Sequence, residues 1–205
     1  MNTQEQYKYV SDMFDRSIEV KKHTQSVCIE ALLEMADVCI RAIENGNKIM
    51  LCGNGGSAAD AQHLAAELLV RLRPDVNRQG LPAIALAMDT SSITACGNDY
   101  SYEVFYRRMV EALGQKGDVL LGITTSGRSA NIIQAFDAAR DKGIHTLGML
   151  GGAGEPALSE CDYSVLVPCS ETGRVQESHI LLGHALMELI EEGLKASGFL
   201  NLTED

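Results

Sequence analysis

The segment Leu51-Cys52-Gly53-Asn54-Gly55-Gly56-Ser57, followed directly by Ala58-Ala59-Asp60-Ala61-Gln62-His63-Leu64-Ala65-Ala66-Glu67, constrains the fold more than any other part of the chain. Lys48 to Cys52 is a short apolar run of strand type, and the residues after Ser57 form an alanine-rich stretch with high helix propensity. A strand that enters a helix through a glycine-rich turn marks an α/β chain. Such a turn presents free backbone N–H groups, at the positive end of the helix dipole, to an anion. Within the helix, His63 and Glu67 stand at i and i+4. They share one face and can reach a single metal ion or substrate atom.

A second unit of the same kind lies downstream. Val119-Leu120-Leu121-Gly122-Ile123 reads as a buried strand, and Thr124-Thr125-Ser126-Gly127-Arg128-Ser129 leads into the helical pattern Ala130-Asn131-Ile132-Ile133-Gln134-Ala135-Phe136. Hydroxyls and backbone amides in such a turn can bond all the oxygens of a phosphoryl group. Taken alone, Ser129 reads equally well as an N-cap and Gly127 as a turn residue. Two such loops after two strands of one sheet shift the reading to a phosphorylated ligand. Neither ends in the Gly-Lys-Ser/Thr of a Walker loop, and alanine at position 58 breaks a dinucleotide G-x-G-x-x-G. A small phosphorylated metabolite is therefore favoured over a nucleotide.

Helical periodicity runs over about 6–22 and 24–44, with Val27, Ala31, Leu32, Met35, Val38 and Cys39 on the apolar side, and Asn45-Gly46-Asn47 supplies a left-handed stop. Strands are predicted at about 48–52, 83–87, 118–123, 144–150 and 163–167, with helices between most of them. Residues 74–82 form a polar connection, 151–156 a loop, and 174–196 the final helix. Strands spaced by helices predict a five-stranded parallel sheet covered on both faces, a three-layer sandwich of the Rossmann or flavodoxin type. The whole chain, 1–205, reads as a single domain: helices over 1–45 for packing and oligomerisation, then an α/β core over 46–205.

A net charge of −11 excludes nucleic acid and anionic membrane as general partners. An anionic substrate must then be held locally, against the overall field. No apolar run approaches the roughly 20 residues of a membrane span, and the first residues have no secretory pattern. Cys28, Cys39, Cys52, Cys96, Cys161 and Cys169 include no C-x-x-C pair, which predicts buried free thiols in a reducing cytoplasm.

These residues carry a resemblance over almost the whole chain. It resembles the sugar isomerase (SIS) fold family and, within it, the phosphoheptose isomerases. The likeness rests on Cys52 to Ser57, Asp60-Ala61-Gln62-His63 with Glu67, and Gly97-Asn98-Asp99. It extends to Gly117 to Ile123, Thr125 to Asn131, and Arg174-Val175-Gln176-Glu177 with His184. The resemblance implies isomerisation of sedoheptulose 7-phosphate to D-glycero-D-manno-heptose 7-phosphate, the first step towards nucleotide-activated heptose for lipopolysaccharide or other surface glycans. It implies one zinc ion per subunit on His63, Glu67, Gln176 and His184, with Glu67 as base and His184 as acid. Asn54, Gly55, Gly56, Ser57, Glu67, Asn98, Asp99, Thr124, Thr125, Ser126, Ser129 and Gln176 carry over as substrate contacts. A cytoplasmic homotetramer is implied as well.

The chemistry agrees with these residue types. Moving a carbonyl between C2 and C1 through an enediol needs a base for a carbon-bound proton and an acid for the oxygens. His nitrogen and carboxylate oxygen suit zinc, and the amide oxygen of Gln176 is a weaker donor. By spacing alone His179, at i+3 from Gln176, is the simpler partner in the last helix, whereas the family position is His184. Two departures stand out: Thr124 replaces a frequent serine, and Ser170-Glu171-Thr172-Gly173 lacks the acidic residue that some members carry beside the arginine. The competing reading is a non-catalytic SIS protein of the type that binds the bacterial replication initiator. Those proteins lose the glutamate and the last histidine, and this chain has both.

Overall fold

A computed structural model describes residues 1–202. Helix α1 spans Thr3–Glu44 and opens with a capping box, in which the Glu5 amide donates to the Asn2 side chain and Glu5 reaches back to the Asn2 amide. Two helices were expected here and one is found. Lys21-Lys22-His23-Thr24 holds no glycine or proline to interrupt the ladder, and Thr24 is buried on the inner face of the helix rather than capping a new one. The expected stop at 45–47 is present. Gly46 takes a φ of 79°, its amide bonds Ile43, and the Asn47 amide bonds Ala42, the paired bonds of a Schellman end.

The chain then alternates: β1 (Ile49–Gly53), α2 (Gly56–Leu69), β2 (Ala83–Ala85), α3 (Thr90–Asp99), α4 (Phe105–Leu113), β3 (Val119–Thr124), α5 (Ala130–Asp141), β4 (His145–Gly151), β5 (Tyr163–Val167) and α6 (Thr172–Ala196). All pairings are parallel, in the order β2-β1-β3-β4-β5. Five strands were expected and five are found. The second is shorter than its apolar run, because Leu86 and Ala87 turn away after one more backbone bond from the Leu86 amide to Leu51.

Alternation along the strands divides the core in two. Ile49, Leu51, Val119, Leu121, Leu147 and Val165 face α1, α2 and α6, whereas Met50, Leu120, Leu150 and Leu166 face α4 and α5. Chain order reverses between β1 and β3. Crossovers therefore leave β1 and β3 on opposite sides and open a crevice at their carboxyl ends, where α/β sheets bind ligands. Both glycine-rich loops begin there. No helix among the described residues is long and apolar enough to cross a membrane.

Candidate active site

The first loop leaves β1 at Gly53. Gly55, with a φ of 56°, is the residue before α2, and no side chain caps that helix. Its first turn therefore keeps its dipole end open to an anion. Ser57 is buried, its amide bonded to the Asn54 carbonyl at 3.0 Å. Asn54 is tied down: its amide and that of Asn131 exchange two bonds of 2.8 Å, and the Tyr102 hydroxyl donates to the same Asn54 oxygen at 2.6 Å. Tyr106, buried beneath, donates to the Gly53 carbonyl. Asn131 belongs to the helix after the second loop, so this amide pair couples the two loops. Sequence reasoning gave Asn131, Tyr102 and Tyr106 no role, because neither spacing nor local pattern connects them to residues 53 and 54.

In the second loop the Thr124 and Ser129 hydroxyls meet at 3.0 Å, and Ser129 makes no capping bond to α5. Thr125 is half-buried and Ser126 exposed, its hydroxyl accepting the Arg128 amide at 3.2 Å. Gly127 takes a φ of 68° and lies directly against the Gly154 backbone. A side chain there would meet both a left-handed backbone and another main chain.

Helices α2 and α6 run side by side in the same direction and meet at successive levels. Gln176 lays its amide over Gly56, so closely that a Cβ on Gly56 would stand 2.6 Å from Nε2. Leu64 fills the space beside Gly183, where a Cβ would stand 2.6 Å from a Leu64 methyl carbon. That close approach lets the neighbouring His63 and His184 meet, Nε2 to Nε2, at 2.8 Å, with the rings edge-on at 70°. Glu67 Oε1 stands 3.2 Å from His63 Nε2 and is 15% exposed. One donor atom from each of these three residues lies within 4.8 Å of the others. Two ring nitrogens and a carboxylate oxygen facing one another form a set that a divalent cation fits.

The remaining candidates are spread around this centre. Asn98 and Asp99 end α3 and are exposed; the Asn98 amide donates to Asp99 at 2.7 Å, and Asp99 borders a groove of about 600 Å³ with Tyr100 and Arg108. Arg71 is exposed and turns to the Pro74 carbonyl. His179 faces the sheet, fully buried, with Nε2 donating to the Leu150 carbonyl at 3.0 Å. Asp60, one turn before His63, is half-buried with Oδ2 lacking a hydrogen-bond partner. Burial raises its carboxyl pKa, and the nearby His63 and His184 pull it back. Its i−3 spacing from His63 was the signal that could have assigned it to this face.

His179 makes a prediction away from the chemistry. Burial depresses its pKa to about 4, against 6.5 for a free imidazole. The unfolded chain binds a proton below about 6.5 that the folded one refuses until about 4, so stability falls as pH drops through that window. Replacing His179 by glutamine should spare about 2–3 kcal/mol of the loss between pH 7 and 4.5. Urea melts at both pH values test this, and equal losses in parent and variant would refute it.

The geometry can be set against known proteins. A profile for the SIS domain matches residues 12–151. The phosphoheptose isomerase of Nitratiruptor sp. is 54% identical over 155 residues, 76% of this chain and 82% of that one. That of Clostridium acetobutylicum is 45% identical over 188 residues, 91% and 95% of the two chains. The chain belongs to the phosphoheptose isomerase family. Solved members agree with it in structure as well. The phosphoheptose isomerase of Neisseria gonorrhoeae superposes with a TM-score of 0.85 at 40% identity, covering 91% of this chain and 98% of its own. That of Francisella tularensis gives 0.87 at 34% identity, covering 94% and 100%. Membership of the phosphoheptose isomerases makes the chain an enzyme of the isomerase class.

Proposed function

We propose that the chain converts sedoheptulose 7-phosphate to D-glycero-D-manno-heptose 7-phosphate, supplying heptose for lipopolysaccharide or another surface glycan. The observation that carries this reading is the convergence of His63, Glu67 and His184 on the same helix pair whose start is the first glycine loop. Gly56 and His63 are seven residues apart, about 10 Å along α2. The first glycine loop thus stands apart from the cluster, as contacts to the middle of a seven-carbon sugar must when its phosphate is held at one end and its carbonyl reacts at the other.

In this reading Thr124, Thr125, Ser126 and Ser129 hold the phosphate, and Asn54, Gly55, Gly56, Ser57, Asn98 and Asp99 line the sugar's path. His63, Glu67 and His184 would hold one zinc ion, with the Gln176 amide as a fourth ligand. When bound, the cation polarises the substrate carbonyl and stabilises the charge that develops on its oxygen. Glu67 lifts the carbon-bound proton and returns it to the neighbouring carbon, while His184 serves the oxygens. A non-catalytic role is not favoured, since Glu67 and His184 are both present, with ligand atoms within 4.8 Å of each other. Sedoheptulose 7-phosphate incubated with the purified protein should yield the aldose; absence of product in zinc-loaded protein would overturn the reading.

Association into a homotetramer fits the start of α1, where Tyr7, Val10 and Phe14 are half or more exposed, and Ile18 nearly half, on a helix with too little core beneath it. Six free cysteines fit a reducing cytoplasm. For the phosphate loop, Ser126→Ala should raise KM about 10-fold with little change in kcat, the loss of one hydrogen bond to a charged group. An unchanged KM would remove Ser126 from the phosphate site.

A further inference from the structure

The connection from α2 to β2 looks like a polar loop in the sequence, yet Arg78 inside it is buried. Its guanidinium donates from Nη2 to the Glu67 carbonyl at 2.9 Å and from Nη1 to the Leu68 carbonyl at 3.0 Å. These carbonyls belong to the last turn of α2, where no intrahelical donor follows and no basic residue of the helix itself stands. The same guanidinium donates from Nε to Glu191 Oε2 of α6 at 2.6 Å. Arg73 Nε holds the other oxygen of that carboxylate at 2.7 Å. The side chains of Arg78 and Glu191 are 1% and 2% exposed.

This ion pair sits at an informative level of the helix pair. Going along α2 and α6 in their common direction, Gln176 covers Gly56, then His184 meets His63, then Glu191 is bound through Arg78 to the peptide of Glu67. Glu191 lies seven residues beyond His184, two turns along and on the same face. One guanidinium thus holds both the backbone of the residue that offers the carboxylate and the helix that offers the second histidine. A buried pair of this kind seldom adds stability over apolar residues of similar volume, because desolvation cancels the Coulombic gain. Its fork geometry does fix the relative placement of what it joins.

We propose that Arg78 and Glu191 are positioning residues for the isomerase reaction. Their ion pair sets the separation of α2 and α6 at which His63, Glu67 and His184 share a cation. The proposal rests on the reading of that cluster given above. It is tested with Arg78→Met combined with Glu191→Leu, which removes both fully buried charges together and leaves the part-exposed Arg73 paired with Glu192 at 2.6 Å, and with Arg78→Lys, which keeps a charge and loses the fork. In metal-free parent protein, rings whose centroids are 5.0 Å apart should give a nuclear Overhauser effect between His63 and His184. The double variant should fold, lose that signal, bind zinc about 10–100-fold more weakly in competition with a chelator, and lose kcat with KM within about twofold. Arg78→Lys should recover only part of the zinc affinity. A folded double variant with the ring signal, zinc affinity and kcat of the parent would overturn the proposal. If the parent itself neither binds zinc nor isomerises the sugar, the functional reading falls. The ring signal in the metal-free variant then still decides whether the pair sets the geometry.

Discussion

Glu67→Gln is expected to lower kcat by about 10²–10⁴-fold, the usual contribution of a general base, while the fold and the affinity for the phosphosugar persist. Glutamine has the same shape, and Glu67 is a partly sheltered residue of a helix packed on both the sheet and α6. The two glycine-rich loops, at the other end of that helix and after β3, are untouched. Glu67 has two oxygens for two tasks. Oε1 faces His63, which leaves Oε2 for a proton. A carboxylate held tightly by a cation is a poor base, so the base role requires that Glu67 would hold a cation only loosely. Steady-state kinetics on variant protein of confirmed zinc content separate the roles. A kcat close to the parent's would take the base role away from Glu67. A fall in kcat that tracks zinc loss would make it a ligand only.

What the sequence revealed was whatever is written in short-range pattern. The apolar runs of Ile49 to Gly53 and Val119 to Thr124, the glycine turns and the i, i+4 spacing of His63 and Glu67 are local, and so the sheet, both loops and half of the cluster were legible. The division of α1 was misread because periodicity over 6–22 and 24–44 suggested two helices, although no breaker separates them. What remained hidden depends on distant parts of the chain. Asn54 finds Asn131 across 77 residues, and Arg78 finds Glu191 across 113. Arg78 in particular sat in a stretch whose composition, Pro74 to Pro82, gives every sign of a solvated loop. Its burial follows from the carbonyls that end α2, a need visible only once α6 lies alongside.

Metal binding should distinguish the two histidines of α6 sharply. His184→Ala is expected to weaken zinc binding by more than the 10–100-fold typical of an outer-shell change, and His63→Ala should do the same. His179→Ala should leave it within a few-fold of the parent. The two residues are five positions apart, so their side chains leave the helix in different directions. His184, beside Gly183, meets α2 where the glycine puts no side chain between the helices, and its Nε2 arrives 2.8 Å from that of His63. His179 instead gives its Nε2–H to the end of β4, which leaves Nδ1 buried and bare. To ligate a cation shared with His63 it would have to break that bond and leave the core. The cost of His179→Ala therefore falls on stability, through a cavity against the sheet, and not on the metal. Zinc titration against a chromophoric chelator and urea melts on the three variants read the two effects separately. Full zinc loading in His184→Ala together with loss in His179→Ala would reverse the assignment and move the metal centre to the sheet side of α6.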